Sequence, residues 1–225
     1  MSCRLVLVRH GETTWNKEMR FQGHTDVPLS PQGEEQARSL GQRLARSRFD
    51  AVYASDLGRA RLTADILARP HRLPVQVLPG LREINFGKWE GLTLQEINEQ
   101  YQGDLMAWWS SPLTARVPGG ETLAEMVERT MWAVQEIFTR HQDGQVLVVA
   151  HGGAIRSIIG TVLGLDLNQY WRLRQDNTAL NIIDLPEWGK GILVLFNDCS
   201  HLGPARGVDK GSQPGINPLH LPQKK

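Results

Sequence analysis

Two stretches of this chain repeat one another. Leu5-Val-Leu-Val-Arg-His-Gly11 and Val146-Leu-Val-Val-Ala-His-Gly-Gly153 each run from a short apolar segment into His-Gly. Continuous apolar runs of this length, closed by glycine, read as strands buried on both faces of a parallel sheet. In doubly wound sheets, ligands collect beyond the carboxyl ends of the strands. His10 and His151 are therefore expected to emerge side by side at one edge of the sheet. One such histidine can close a strand by chance. Two in the same local sequence, among only seven histidines, argue against coincidence.

Outward from these segments, further runs fall at Ala51–Ala54, Val75–Leu78, Leu180–Leu185 and Ile192–Phe196. Helical patterns lie between them. Ala37, Leu40, Gly41 and Leu44 repeat at i, i+3, i+4, i+7, behind Ser30 as N-cap and Pro31 at the first helical position. Ala60, Thr63, Ala64 and Leu67 repeat the spacing behind Asp56. Val127, Thr130, Met131 and Val134 do so after a Thr122…Glu125 capping box, and Gly152–Leu163 reads as a tightly packed helix rich in small residues. The alternation predicts an α/β fold, a three-layer sandwich with a mostly parallel sheet and helices on both faces. The stretch from Ile84 to Gly120, with Trp89, Trp108 and Trp109, breaks the rhythm and reads as an insertion that caps something.

The chain has 225 residues, 40% of them hydrophobic, and a formal net charge of +1. That size suits one large domain, or one domain with a tail. The near-neutral balance removes the electrostatic driver for generic nucleic-acid or anionic-membrane binding. Apolar runs reach about five residues where a membrane-spanning helix needs about 20. The apolar run before Arg9 is too short for a signal peptide, and two cysteines are too few for a disulfide framework. The expectation is a cytoplasmic protein of unread oligomeric state. His201–Lys225 holds four prolines and four glycines in 25 residues, so the compact domain is expected to span 1–198, with 199–225 as a Pro/Gly-rich C-terminal tail.

Other residues gather at the same edge. Arg9 precedes His10. Arg59 lies just past the strand ending at Ala54, in the first turn of a helix, where guanidinium and backbone N–H groups together suit an anion. Glu83 follows Val75–Leu78 by a short Pro79-Gly80 turn and could act as a general acid. Two histidines, two arginines and a carboxyl group suit a phosphoryl group. No His-x-x-x-His, cysteine pair or acidic cluster surrounds the histidines, and two arginines would repel a cation. There is also no phosphate-binding G-x-x-x-x-G-K-[ST] loop.

Leu7-Val-Arg-His-Gly-Glu-Thr-Thr-Trp-Asn16 resembles the signature of the histidine phosphatase superfamily, phosphoglycerate-mutase-like branch. The resemblance continues in order through Arg20-Phe-Gln-Gly-His-Thr-Asp-Val-Pro-Leu-Ser-Pro-Gln-Gly33, Ser55-Asp-Leu-Gly-Arg-Ala-Arg-Leu-Thr-Ala64, Leu81-Arg-Glu-Ile-Asn-Phe-Gly-Lys-Trp-Glu-Gly-Leu92, Pro118-Gly-Gly-Glu-Thr122 and Val148-Val-Ala-His-Gly-Gly153. It covers the chain from about Leu5 to Phe196. The resemblance implies that His10 is a nucleophile that becomes a phosphohistidine. It implies that Arg9, Asn16, Arg59 and His151 hold the phosphoryl oxygens, and that Glu83 donates a proton to the leaving oxygen. Gln22 and Gly23 match a loop on the substrate side. No metal and no other cofactor is implied.

Three readings follow. The leading one is a metal-independent phosphomonoester hydrolase acting on a small-molecule phosphomonoester. Within that class, the Arg20–Ser30 and Phe86–Thr93 segments resemble alpha-ribazole phosphatase of cobalamin biosynthesis and also broad-specificity phosphatases. The second is a cofactor-dependent phosphoglycerate mutase, which must keep water from its phosphoenzyme. The third, a non-catalytic module that binds phosphorylated ligands, has no need of the acid Glu83.

Overall fold

The computed structural model describes residues 2–203. Among these, six strands form one sheet: β1 (Cys3–Arg9), β2 (Ala51–Ala54), β3 (Val75–Val77), β4 (Gln145–Ala150), β5 (Leu180–Glu187) and β6 (Lys190–Asp198). Their order is β3-β2-β4-β1-β5-β6. β1 and β2 each run parallel to β4, and β3 parallel to β2. β5 returns antiparallel to β1, and β6 antiparallel to β5 at the sheet edge.

The helices are α1 (Thr14–Lys17), α2 (Pro31–Leu44), α3 (Gly58–Ala68), α4 (Leu94–Gln100), α5 (Gln102–Ser110), α6 (Leu123–Arg140) and α7 (Gly152–Val162). Strand alternation sorts the core into two layers. Leu5, Leu7, Val146 and Val148 face α6 and α7, where they meet Val134, Ile137, Ile155 and Ile158. Val6, Val8, Leu147 and Val149 face α2 and α3, where they meet Leu40, Leu44, Ala64 and Leu67. Fully burying each of these Leu, Val or Ile side chains stabilises the fold by roughly 1.5–3 kcal/mol. The mostly parallel three-layer sandwich expected from the strand and helix pattern is the observed architecture.

Local signals held where their chemistry was local. Ser30 caps α2 by accepting from Gly33 N at 3.0 Å, with Pro31 at the first position. Thr122 and Glu125 form the capping box of α6. Asp56 does not cap α3. The N-cap position falls on Leu57, which makes no side-chain cap, and Asp56 instead pairs with Arg82. The Gly58 amide at the start of α3 is taken by Asp26, at 2.9 Å. That acidic cap comes from a distant loop, so spacing alone could not reveal it.

The segment between β3 and α6 carries α4 and α5 and builds a third core. Trp89 and Trp108 are fully buried there, packed edge-to-face with ring centroids 6.0 Å apart. Past β6, Cys199 is buried and the His201 ring contacts the Thr178 hydroxyl at 3.0 Å. The rest of the Pro/Gly-rich segment lies outside the described residues. No helix among the described residues is long and apolar enough to cross a membrane.

Candidate active site

β1 and β4 are in register, with Arg9 opposite Ala150. The residue after each strand is a histidine, so His10 and His151 lie together, with ring centroids 5.1 Å apart. His10 N also donates to Ala150 O at 3.0 Å, which carries the pairing one residue past the strand. His10 is 3% exposed and His151 is completely buried. His10 Nδ1 donates to Gly11 O at 2.7 Å. That bond fixes the ring and leaves Nε2 as the nitrogen with a lone pair. Burial first, and then the Arg59 and Arg9 charges, hold the His10 pKa well below its ordinary value. Burial and Arg59 do the same to His151. Both rings are therefore neutral at physiological pH, as a nucleophile requires.

Arg9, Asn16, Gln22, Gly23, Arg59 and Glu83 line one cleft of about 80 Å³ with His10. His151 sits behind, against the His10 ring. Arg9 Nη1 donates to Gln175 O at 2.7 Å. Arg59 donates from Nη2 to Gly23 O at 2.7 Å and from Nη1 to Thr25 O at 2.9 Å. Each guanidinium is thus oriented by carbonyls on one side, while its Nε, like both ring nitrogens of His151, is buried without a hydrogen-bond partner among the described residues. Burial pulls the pKa of Arg9 and of Arg59 down to about 10. Both remain cations at neutral pH. Buried donors of this kind, held before any ligand arrives, are what stabilise charge on a phosphoryl group.

The loop after β1 supplies Asn16. Its Oδ1 closes the capping box of α1 by accepting from Thr13 N at 3.1 Å, and it also accepts from Asn177 Nδ2 at 3.2 Å. Asn16 itself lines the cleft. Gly23 has φ of +55°, and a Cβ there would fall 2.0 Å from Glu90 Oε1. Its demonstrated task is to hand a carbonyl to Arg59. Gln22 is 8% exposed, its Oε1 buried without a hydrogen-bond partner among the described residues.

Glu83 stands across the cleft. Its Oε2 accepts from Gly153 N at 3.0 Å and its Oε1 from Ile84 N at 2.9 Å. Arg129 of α6 fixes the turn that carries it, donating to Gly80 O, Arg82 O and Glu83 O at 3.0, 2.8 and 2.7 Å. His24 also contacts Glu83 O, at 2.9 Å. Sequence reasoning missed Arg129, Asn177, Gln175 and several cleft residues, among them Arg20, Phe21, Phe86, Arg156 and Tyr170. Arg129, Gln175 and Asn177 reach the site from segments outside the two histidine motifs. Arg156 left a local trace, as a charge early in the small, apolar helix α7.

A family model for the histidine phosphatase superfamily (branch 1) matches residues 5–198. The chain belongs to the histidine phosphatase superfamily. As a member of this superfamily it is an enzyme, classed with the phosphoric monoester hydrolases. It is 35% identical to phosphoserine phosphatase 1 of Hydrogenobacter thermophilus over 200 residues, 89% of this chain and 94% of the relative. It is 36% identical to the probable phosphoglycerate mutase GpmB of Erwinia tasmaniensis over 203 residues, 88% of this chain and 94% of that relative. Among solved structures, the alpha-ribazole phosphatase of Shigella flexneri superposes with a TM-score of 0.79 at 29% identity. That match covers 87% of this chain and 96% of the other. In this histidine phosphatase, then, the fold and the superfamily are shared with relatives named for several different substrates.

Proposed function

We propose that this histidine phosphatase is a metal-independent hydrolase of small phosphomonoesters, working through a phosphohistidine on His10. The observation that carries the reading is the His10 ring. Its Nδ1 is locked to Gly11 O, and the opposite nitrogen is left to act among Arg9, Arg59, His151 and Glu83. In the first step, His10 Nε2 attacks phosphorus and the P–O bond to the alcohol breaks. Glu83 gives its proton to the departing oxygen, while Arg9, Arg59, Asn16 and His151 hold the other phosphoryl oxygens. In the second step, water attacks phosphorus, Glu83 takes its proton, and the P–N bond to His10 breaks. The guanidinium groups neutralise the developing charge, the task that metal ions perform in many phosphoryl-transfer sites. The unpaired cysteines Cys3 and Cys199 suit a reducing, cytoplasmic setting.

Hydrolysis is favoured over mutase chemistry because Glu83 is only part-buried, leaving the carboxylate within reach of water. Alpha-ribazole 5′-phosphate, suggested by the Arg20–Ser30 and Phe86–Thr93 segments, falls within this substrate class. The test is incubation with 3-phosphoglycerate and with alkyl and aryl phosphates, in the presence and absence of a chelator. Free phosphate accumulating at a rate unaffected by chelation supports the reading. Conversion of 3-phosphoglycerate to its 2-phospho isomer without phosphate release would establish a mutase instead.

A further inference from the structure

Phe86-Gly-Lys-Trp-Glu-Gly91 follows the proposed acid closely, yet Glu90 is not among the residues that line the cleft. Its carboxylate is nonetheless fully engaged. Oε1 accepts from His24 N at 2.9 Å and from Phe86 N at 3.2 Å. Oε2 accepts from Thr25 N at 2.9 Å and from the Thr25 hydroxyl. Backbone bonds flank this contact, with Phe21 N donating to Leu92 O and Gly91 N to Phe21 O. One carboxylate thus ties the 22–25 loop to the turn after Glu83.

The peptide unit between Gly23 and His24 carries this tie into the cleft. It is trans and planar, so its N–H and C=O point in opposite directions. The N–H is given to Glu90, and the C=O accepts from Arg59 Nη2 at 2.7 Å. Thr25, whose carbonyl accepts from Arg59 Nη1 at 2.9 Å, is held by Glu90 at both its amide and its hydroxyl. Both carbonyls that orient the Arg59 fork therefore stand on groups that Glu90 fixes. A charged acceptor at one end of a peptide unit also polarises its carbonyl, which strengthens the bond from the guanidinium. Arg9 is aimed from a different loop, by Gln175 O.

We propose that Glu90 is a positioning residue for the phosphoryl transfer, setting the Gly23 and Thr25 carbonyls so that Arg59 meets the phosphoryl oxygens in a fixed orientation. This role rests on the phosphatase reading, in which Arg59 holds those oxygens. Charge and geometry here act in opposite directions. The field of Glu90 reaches Arg59, so removing that negative charge would by Coulomb's law alone favour a bound anion. A loss of phosphate affinity on its removal therefore reports orientation.

The experiment is a double-mutant cycle with two readouts, the Kd of inorganic phosphate by calorimetry and kcat/KM on p-nitrophenyl phosphate. Glu90→Gln is expected to weaken phosphate binding and to lower kcat/KM, each by about ten- to 10²-fold, the scale of one hydrogen bond to a charged group. In an Arg59→Lys background, where no fork remains to be aimed, the further loss should shrink below about three-fold. In an Arg9→Lys background it should keep its full size. Thermal unfolding checks that each variant is folded. If Glu90→Gln does not fold, Glu90→Asp, which keeps the charge but draws it back by one methylene, is carried through the same cycle. Equal losses in all three backgrounds would show that Glu90 only staples two loops together, and would overturn the inference. So would phosphate binding that is unchanged or tighter in Glu90→Gln. Wild-type enzyme that binds phosphate but releases none from p-nitrophenyl phosphate would remove the hydrolase reading, and the binding cycle would still decide this inference. Wild-type enzyme that binds no phosphate would remove both.

Discussion

Glu83 and Gly153 fit together atom against atom: the carboxylate accepts the Gly153 amide at 3.0 Å, and a Cβ on residue 153 would lie 2.2 Å from Glu83 Oε1. The second glycine of His151-Gly-Gly153 is therefore a seat for the proposed acid. Gly153→Ala should move the carboxylate and mimic Glu83→Gln. On alkyl phosphates both variants are expected to lose about 10² to 10⁴-fold in turnover, the usual range for general acid–base catalysis. On aryl phosphates, whose leaving groups need little protonation, phosphorylation of the enzyme should suffer less. A leaving-group series by stopped flow checks this. Equal losses in the phosphorylation step across the series would show that Glu83 orients phosphate rather than delivering a proton.

Arg59 makes a prediction about shape rather than charge. Its fork bonds Gly23 O and Thr25 O simultaneously, which a single ammonium cannot reproduce. Arg59→Lys should lower kcat/KM by about 10² to 10³-fold, comparable to removing one donor from an oxyanion site. Steady-state kinetics on p-nitrophenyl phosphate reads the loss. Near-normal activity in Arg59→Lys would show that net charge is sufficient.

The buried histidines predict how stability responds to acid. His10 and His151 have folded-state pKa values below the unfolded imidazole value of about 6.5, chiefly through burial. His201 is likewise pushed down, to about 4, mainly by burial. Below pH 6.5 the unfolded chain binds protons that the folded chain refuses. Stability is thus present above that pH and is lost as pH falls, by up to about 1.4 kcal/mol per histidine per pH unit. Carboxylates work in a lower window: Asp198, drawn down to about 2 chiefly by its hydrogen bond from Arg43, loses its contribution only below about pH 4. Urea midpoints should fall between pH 7 and pH 5, with a shallower slope in His151→Gln. A midpoint flat over that range would contradict the burial of neutral imidazoles.

Most of the sheet was legible because its information is local. Strand runs such as Ala51–Ala54 and caps such as Ser30 and Thr122 depend on neighbours within a few residues, and the structure has them in place. The convergence of His10 and His151 was readable from two matching strand ends, since parallel register carries one beside the other. What spacing could not supply were partners joined across the chain. Asp56 reads as a helix cap until Arg82 is found opposite it, and Asp26 occupies the amide that Arg59's helix was expected to offer an anion. The carbonyls of Gly23, Thr25, Leu173 and Gln175, which aim three arginines, have no side-chain signature at all.

The central claim is that His10 itself carries the phosphoryl group between the two steps. Rapid-quench mixing with a 32P-labelled phosphomonoester, followed by alkaline digestion and peptide mapping, tests it directly. The account predicts base-stable, acid-labile label on the peptide containing His10, formed faster than phosphate is released and absent in His10→Ala. Label on a serine, an aspartate or His151, or turnover undiminished in His10→Ala, would contradict it.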